Sequence, residues 1–283
     1  MARILKGADV VSALNERNAL QVEALKKCGV KPQLAIVRLG KREDEIAYER
    51  GAIKRCESAG VSVRQFIFPE DATQERLIAL IETLNTDEDI HGVLLLRPLP
   101  AHIDDDVVRN ALDPRKDIDG ITDSAAAGVF TSRAASFVPC TSHACMEILD
   151  YFGIEPLGKK ALVIGRSLVV GKPTAMMLLD RNATVTIAHS HTADLAELTR
   201  NADIVIVCVG CAQMIGVEYL RRGQVIIDVG INVDEAGLLV GDVDFEAAEG
   251  IVDAITPVPG GVGTVTTSVL VKHVIQAAAN TRV

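Results

Sequence analysis

The 283-residue chain has few aromatic residues, no tryptophan and no excess of basic residues. Aromatics make up 3% of the sequence, so platforms on which single-stranded nucleic acid stacks are scarce. The formal net charge is −9 and no basic run stands out, which disfavours binding to nucleic acid or to an anionic membrane surface. No apolar run approaches the roughly 18 residues that a membrane-spanning helix requires, and the first residues lack the apolar segment of a signal peptide. The composition therefore favours a protein with a small-molecule partner.

The six cysteines are spread along the chain rather than packed into a short scaffold. This distribution predicts reduced thiols and a cytoplasmic location. Cys208 and Cys211 have the spacing of a metal or redox pair, but no second cysteine pair or histidine pair accompanies them. We therefore expect no metal site, and we expect these two residues to lie near the end of a strand.

Short runs of β-branched and apolar residues alternate along the chain with segments of helical periodicity. This alternation predicts an α/β fold with parallel sheets and helical crossovers, in two blocks over residues 1–140 and 141–265. Predicted strands are Gln33–Leu39, Val61–Phe68, Gly92–Leu96, Lys160–Ile164, Ala183–Ala188, Ile204–Val209, Gln224–Val229 and Ile251–Ile255. Predicted helices are Glu45–Ser58, Thr73–Leu84, His102–Leu112, Thr141–Tyr151, Thr174–Asp180, Ala193–Arg200 and Thr266–Ala279. The closing helix, residues 266–283, is expected to pack back onto the first block.

A glycine-containing turn joins the strand Lys160–Ile164 to the helix that follows it. Gly165, Arg166 and Ser167 begin the turn, and Gly171 ends it. Glycines allow close approach to a phosphate, and the start of the helix offers free N–H groups to an anion. The turn departs from the usual dinucleotide pattern, because Ser167 replaces the second glycine and the last glycine comes one residue later. It therefore predicts either a Rossmann-type NAD(P)-binding domain or a tight turn without a ligand.

The strand after this turn ends in His189-Ser190-His191-Thr192, with no carboxylate. NAD sites usually place an acid near this point, where it binds the ribose 2′-hydroxyl. A hydroxyl and an imidazole suit a 2′-phosphate better, which favours NADP and leaves NAD open. The alternative is that both histidines have no role in binding a ligand.

Several longer motifs occur in order along the whole chain and carry a resemblance to a known family. They are RPLPAHIDD (97–105), KDIDG (116–120), PCT (139–141), GRSLVVGKP (165–173), ATVTIAHSHT (183–192), DVGIN (228–232), GDVDF (241–245) and TPVPGGVG (256–263). Together they resemble the methylenetetrahydrofolate dehydrogenase/cyclohydrolase family, of the bifunctional FolD type.

The resemblance implies a homodimer of two-domain subunits. An N-terminal α/β catalytic domain with a parallel sheet would face a Rossmann-type NAD(P)-binding domain across a cleft, where a tetrahydrofolate one-carbon derivative and NADP meet. The matching catalytic residues are Tyr48, Lys54 and Asp119, and the matching substrate-binding residues are Tyr48, Asp119, Gly260 and Gly261. The matching cofactor-binding residues are Gly165, Arg166, Ser167, Ser190 and Ile231.

Two of these matches also have a purely structural interpretation. A carboxylate such as that of Asp119 accepts hydrogen bonds from the pterin ring N–H and 2-amino groups, but an aspartate before Gly120 also suits a turn cap. Tyr48 matches the tyrosine that stacks on folate, and it is equally a candidate for a half-buried helical aromatic.

The sequence departs from the family where hydrolysis is concerned. The position of the catalytic lysine, four residues after Tyr48, is Ala52, and the position of the assisting glutamine is Leu96. The family has a second lysine two residues after the catalytic one, and Lys54 matches only that second lysine. Residues two apart lie on different faces of a helix, so Lys54 does not share the face of Ala52. Arg97 and Glu45 are alternative charged groups; Glu45 either enters the site or is a solvated acid in the first turn.

These departures leave three hypotheses. The chain is an NADP-dependent dehydrogenase with weak or absent cyclohydrolase activity, because losing a positioned acid–base group costs about 10²–10⁴-fold. Alternatively it is fully bifunctional with rearranged groups, or it is a nucleotide-binding paralogue without turnover. The retained Tyr48, Asp119 and PGGVG loop argue against the third hypothesis.

Overall fold

The computed structural model of the chain describes residues 1–132 and 137–281. In chain order its elements are β1 (Arg3–Ile4), α1 (Gly7–Lys27), β2 (Gln33–Leu39), α2 (Glu43–Ala59), β3 (Ser62–Phe68), α3 (Gln74–Thr86), β4 (Gly92–Leu95), α4 (Asp105–Asn110), α5 (Asp123–Thr131), α6 (Cys140–Tyr151), β5 (Lys160–Ile164), α7 (Gly171–Asp180), β6 (Thr184–Ala188), α8 (Leu195–Asn201), β7 (Ile204–Val207), β8 (Val225–Asp228), β9 (Asn232–Val233), β10 (Leu239–Val240), α9 (Phe245–Glu249), β11 (Ala254–Ile255) and α10 (Val262–Asn280). The fold is α/β, as predicted.

The chain divides into two compact units. The six-strand unit comprises Met1–Ser12 and Thr141–Thr266, and the three-strand unit comprises Ala13–Cys140 and the residues from Thr267 on. The sequence pattern grouped all of residues 1–140 together, whereas the structure assigns Met1–Ser12 to the other unit. The reason is that β1 pairs with β11 in parallel, with Arg3 beside Ala254.

The sheet of the six-strand unit has the order β1-β11-β8-β7-β5-β6, and every neighbouring pair is parallel. Its central strands β5, after the exposed Lys160, and β7 consist of buried apolar residues, as strands covered on both faces do. The chain runs from β5 outward to β6 and then returns to β7 on the other side of β5. Such a reversal creates a crevice at the carboxyl ends of the strands, where α/β proteins bind their ligands.

The sheet of the three-strand unit has the order β3-β2-β4, again wholly parallel. The central strand β2 is buried along almost its whole length, and the observed bounds of β2 are the predicted ones. Leu77, Ile81 and Leu84 of α3 pack with β2 residues such as Val37 in one apolar cluster. This core supports the helix α2, which follows β2 directly.

Side-chain caps fix several helix starts. Thr73 Oγ1 accepts the backbone N–H of Arg76 at 3.4 Å at the start of α3, and Thr122 Oγ1 accepts that of Ala125 at 3.1 Å at the start of α5. Asp104 Oδ1 accepts the N–H of Asp106 at 3.0 Å. The predicted helix His102–Leu112 is therefore shorter than expected and begins as α4 after the Asp104 cap.

Six of these elements were not predicted: the 21-residue helix α1, the short helices α5 and α9, and the two-residue strands β1, β9 and β10. None of the helices over the described residues combines the length and the apolar character needed to cross a bilayer. All six cysteines carry free thiols.

Candidate active site

The phosphate-type turn lies at the carboxyl end of β5, in the six-strand unit. Gly165 has φ 127°, and a Cβ there would lie 2.5 Å from the carbonyl oxygen of Cys208, which follows β7. A Cβ on Gly171 would lie 2.3 Å from the carbonyl oxygen of Gly165. Both positions therefore require glycine, because strand, turn and helix pack backbone against backbone.

Ser167 closes this turn from within. Its Oγ accepts the backbone N–H groups of Val170 at 3.1 Å and Gly171 at 3.3 Å. Its carbonyl oxygen accepts the N–H of Lys172 at 3.0 Å. The expectation that the start of α7 offers free N–H groups was therefore wrong for these three groups, since Ser167 already pairs them.

The outer side of the turn is open, since Arg166 and Ser167 are exposed together with the two residues that follow. An anion at this turn would meet the guanidinium of Arg166 and the exposed backbone. A turn with a positively charged side chain and closely packed glycines fits the pyrophosphate of a dinucleotide.

The turn after β6 has an internal hydrogen-bond pattern of its own. The N–H of His189 donates to Thr192 Oγ1 at 2.8 Å, and the N–H of His191 donates to His189 Nδ1 at 3.2 Å. The His189 ring thus helps to hold the turn, which supports the structural alternative for this residue. Ser190 and His191 are exposed and remain candidates for contact with a ribose phosphate.

A pocket of about 190 Å³ lies between two loops of the six-strand unit. Ile231 and Gly260–Gly261 line it, so the structure brings a predicted cofactor residue beside predicted substrate residues. Ile231 is 63% exposed. Gly260 has φ 103°, and a Cβ on Gly261 would lie 2.4 Å from the carbonyl oxygen of Pro257. The glycines thus allow the loop to turn tightly at the pocket wall.

Tyr48 and Asp119 lie close together in the three-strand unit. Both are half-buried. Burial and then the Asp119 carboxylate raise the pKa of the Tyr48 phenol well above its usual value. Burial likewise raises the pKa of Asp119 to about 6, although its Oδ1 accepts the backbone N–H of Cys140 at 3.4 Å. The predicted partners for a flat polar ring, an aromatic face and a carboxylate, therefore belong to one unit, and the charge of Asp119 acts on the Tyr48 phenol.

The turn that carries Asp119 is closed by a different aspartate. Buried Asp117 accepts the N–H of Ile121 through Oδ1 at 3.0 Å and that of Thr122 through Oδ2 at 2.8 Å. Gly120 has φ 65°, and a Cβ there would lie 2.7 Å from the backbone nitrogen of Pro139. Because Asp117 does the capping, the turn-cap alternative does not account for Asp119.

The face of α2 that carries the missing lysine position is buried. Ala52 is 0% exposed and Leu96 is 6% exposed. Lys54, by contrast, is exposed, as its spacing from Ala52 predicts, and the structure does not bring it to the buried face.

Glu45 is buried one turn before Tyr48 on the same helix. It is 6% exposed, so the alternative of a solvated first-turn acid was wrong. Its Oε1 lies 3.7 Å from Arg42 Nε, and its Oε2 has no hydrogen-bond partner among the described residues. Burial raises the pKa of Glu45.

A buried ion pair beside Glu45 was missed in the sequence. Arg38 on β2 donates through Nε to Glu49 Oε2 at 2.8 Å, and Gln65 Nε2 donates to Glu49 Oε1 at 2.8 Å. The signal was present: an arginine inside a strand of buried apolar residues needs a partner, and Glu49 lies four residues after Glu45. Arg97, the other alternative charged group, makes a two-point ion pair with Asp105.

No group of three or more histidine, cysteine or acidic side chains stands in position to hold a metal ion, over the residues that the structure describes.

Comparisons with known proteins agree with this geometry. The family model "Tetrahydrofolate dehydrogenase/cyclohydrolase, catalytic domain" matches residues 5–119, and "Tetrahydrofolate dehydrogenase/cyclohydrolase, NAD(P)-binding domain" matches residues 139–282. The "Bifunctional protein FolD" of Alkaliphilus oremlandii is 45% identical over 98% of this chain and 97% of its own length.

Solved structures agree as well. The bifunctional FolD methylenetetrahydrofolate dehydrogenase/cyclohydrolase from Campylobacter jejuni superposes with a TM-score of 0.97 at 36% identity, over 99% of this chain and 100% of that one. The FolD of Trypanosoma brucei, solved with NADP and an inhibitor, has a TM-score of 0.93 at 33% identity, over 99% of this chain and 98% of that one. The predicted resemblance is confirmed: the chain belongs to the tetrahydrofolate dehydrogenase/cyclohydrolase family.

Proposed function

We propose that the protein oxidises 5,10-methylenetetrahydrofolate to 5,10-methenyltetrahydrofolate with NADP as hydride acceptor, and that its hydrolytic step is weak or absent. The observation that carries the proposal is that Tyr48 and Asp119 are retained in one unit, where the Asp119 charge acts on the Tyr48 phenol, while the lysine and glutamine positions are the buried apolar residues Ala52 and Leu96. The substrate-binding pair is present, and the usual acid–base pair is missing.

The dehydrogenase step makes modest demands on the side chains. Bound NADP supplies the hydride-accepting ring, and the substrate nitrogens stabilise the cation that forms. The protein has to align the one-carbon bridge with the ring, which needs proximity rather than a strong acid or base. Tyr48 offers its ring face to the pterin, and the Asp119 carboxylate accepts the pterin N–H groups.

Hydrolysis of the methenyl cation makes different demands. Water has to be added and a proton moved, and loss of the positioned acid–base group costs about 10²–10⁴-fold. Lys54 is exposed and points away from the buried face of α2. It therefore does not replace a lysine at position 52.

NADP rather than NAD is supported by charge at two turns of the six-strand unit. Arg166 is exposed in the turn after β5, and Ser190 and His191 are exposed in the turn after β6, which contains no carboxylate. A hydroxyl and a part-basic ring next to a ribose accept a 2′-phosphate, whereas an acid would repel it.

A bifunctional enzyme with rearranged groups is the second candidate. Buried Glu45, with one oxygen that has no hydrogen-bond partner among the described residues, favours it, since burial raises the pKa of this carboxyl group and so makes it a better proton acceptor than a solvated one. The protein is further proposed to work as a homodimer in the cytoplasm; six free thiols support a reducing compartment.

Two spectroscopic assays on the purified protein test the proposal. The expected result is NADPH formation from methylenetetrahydrofolate and methenyl hydrolysis close to the uncatalysed rate. Hydrolysis far above that rate, and lost in Glu45→Gln or Lys54→Ala, would establish the second candidate instead. Binding of NADP without any methylene-dependent reduction would establish the non-catalytic alternative.

A gain-of-function pair sharpens the test. The double variant Ala52→Lys/Leu96→Gln is expected to raise hydrolysis by about 10²–10⁴-fold. Ala52→Lys alone is expected to gain less, because the position of the assisting glutamine is still Leu96. No gain in the double variant would mean that the two positions do not account for the missing activity.

A further inference from the structure

Asp242 is a fully buried carboxylate with four hydrogen-bond donors around it. Its Oδ2 accepts the backbone N–H groups of Val209 at 2.7 Å and Gly210 at 3.0 Å. Its Oδ1 accepts the N–H of Cys211 at 2.9 Å and the Nδ2 of Asn232 at 2.9 Å. All four lone-pair positions of the carboxylate are thus used within the chain.

The donors belong to two loops that border the candidate cofactor site. Val209–Cys211 comes directly after Cys208, against which Gly165 of the phosphate-type turn packs. Asn232 comes directly after Ile231, which lines the 190 Å³ pocket. Asp242 therefore links the wall behind the phosphate-type turn to the wall of the pocket, entirely within the six-strand unit.

The surrounding backbone is shaped to admit this carboxylate. A Cβ on Gly230 would lie 2.2 Å from Asp242 Cγ, and a Cβ on Gly241 would lie 1.9 Å from Asp228 Oδ2. Asp228 in turn accepts the N–H of Asp242 through Oδ1 at 3.0 Å and that of Val243 through Oδ2 at 2.9 Å. The glycines in the motifs DVGIN and GDVDF are therefore required by two buried carboxylates that tie the loops together.

A neighbouring aspartate shows what a purely structural role looks like. Asp244, two residues further on, accepts only the N–H of Ala247 at 3.1 Å and caps α9. Asp242 instead collects donors from loops at the carboxyl ends of β7 and β8, where parallel sheets bind ligands. Fixing these loops before the ligand arrives reduces the ordering that binding requires.

We propose that Asp242 is a positioning residue for the nicotinamide cofactor: it does not touch the cofactor, but it holds both loops in the conformation that binds it. The inference rests on the proposed function, in that the six-strand unit is taken to bind NADP. Asp242 would affect cofactor binding by holding Cys211 and Asn232 in place, and not by contacting the cofactor itself.

The test variant is Asp242→Asn in the full-length protein. The amide has one acceptor oxygen and places N–H groups where the second oxygen was, so the donors on one side lose their acceptor. Each hydrogen bond to a charged group stabilises the loops appreciably, and its loss leaves them less ordered before NADP binds. The Kd for NADP, measured by calorimetry, is therefore expected to rise about 10–100-fold. The KM for methylenetetrahydrofolate is expected to change less than about twofold, a split that general loosening of the fold would not produce.

Asp244→Asn is the matched control. It also converts an aspartate that accepts a backbone N–H into an amide, but Asn caps a helix about as well as Asp, so the Tm is expected to change little and the Kd for NADP to stay within about twofold. An Asp242→Asn protein whose Kd rises no more than that of Asp244→Asn would overturn the proposal.

A rescue variant separates positioning from loss of folding. In Asp242→Asn/Asn232→Asp the carboxylate moves to the other end of the same hydrogen bond, and the new amide donates to it. The amide oxygen still accepts from Val209 and Gly210, whereas the N–H of Cys211 faces the amide nitrogen and stays unpaired. The Kd is therefore expected to recover only in part, to a value between those of Asp242→Asn and the unaltered protein. A Kd no lower than that of Asp242→Asn would overturn the proposal.

A milder variant covers the case in which Asp242→Asn does not fold. Asn232→Ala removes one of the four donors and is expected to raise the Kd for NADP several-fold; an unchanged Kd would overturn the proposal. If the unaltered protein itself fails to bind NADP, both the proposed function and this inference fall. If it binds NADP and the variants bind equally well, only the inference falls.

Discussion

The ionisation of Asp119 is expected to set the pH dependence of folate binding. Burial raises the pKa of this carboxyl from 3.8 to about 6 in the free protein. Only the ionised form accepts hydrogen bonds from two pterin N–H groups, since the protonated acid presents an O–H donor in place of one acceptor. Lowering the pH should therefore weaken binding in a range where an ordinary aspartate stays ionised.

The magnitude follows from the shifted pKa. With a pKa of about 6, about nine-tenths of the carboxyl groups are ionised at pH 7 and about one-tenth at pH 5. The KM for methylenetetrahydrofolate is thus expected to rise about tenfold between pH 7 and pH 5. An aspartate with the usual pKa of 3.8 would change by less than about 10% over the same interval.

The assay is the initial rate of NADP reduction at varied folate concentration across this pH range. Asp119→Asn is expected to bind folate about 10–100-fold more weakly at pH 7, because it loses a charge-assisted acceptor, and to show no pH dependence. Tyr48→Phe is the control, since it keeps the ring and the carboxylate and should retain the tenfold rise. A flat KM in the unaltered protein, or a persistent rise in Asp119→Asn, would refute the role of Asp119.

The same shift predicts the effect on stability. Because the folded-state pKa lies above the unfolded value of 3.8, ionised Asp119 destabilises the fold above about pH 6, and this penalty disappears below about pH 4. Asp119→Asn should therefore gain stability relative to the unaltered protein at pH 7 and lose that advantage on acidification, as urea unfolding at each pH would show.

Two further predictions concern packing and a buried charge. Gly241→Ala is expected to lower the free energy of unfolding by at least about 2 kcal/mol, because its Cβ would lie 1.9 Å from an Asp228 oxygen; Gly250→Ala, with no atom within 4 Å of its Cβ, is the control and should be neutral or stabilising by up to about 1 kcal/mol. Equal unfolding midpoints in urea for the two variants would contradict this packing. Glu45→Gln is expected to raise the free energy of unfolding at pH 7 by up to about 1 kcal/mol, because burial raises the pKa of Glu45 above 4.5 and an amide avoids the desolvated charge. The gain should vanish below about pH 4.5, and a destabilised variant at pH 7 would show that Glu45 has a partner that needs its charge.

The main strands and the family membership could be predicted from patterns of residues that are close in sequence. Runs such as Gln33–Leu39 and Lys160–Ile164 have the observed bounds, because strands buried on both faces are continuous apolar segments that end at a glycine or a polar residue. The long helix α1 was missed because its apolar positions are diluted by charged residues; its burial comes from packing that the local pattern does not contain.

Part of the candidate site was also visible in the sequence. Gly165 was found because a glycine turn between a strand and a helix leaves a pattern in adjacent residues. Gly260 and Asp119 were found through the family resemblance of the motifs that contain them. The sequence did not show which of the polar groups at the site are buried and which are already hydrogen-bonded. Glu45 was expected to be as much solvated as buried, and the N–H groups at the start of α7 were expected to be free, whereas Ser167 pairs three of them.

The amino-acid order by itself determined the α/β alternation, the glycine turns and the absence of a lysine at position 52, because each of these depends on neighbours within a few residues. The tertiary structure alone decided which charges are buried and with whom. Arg38 meets Glu49 across 11 residues, and Asp242 collects donors more than 30 residues away in sequence. Desolvation and hydrogen bonding at such distances depend on how the sheet brings its loops together, so no local pattern could have specified them.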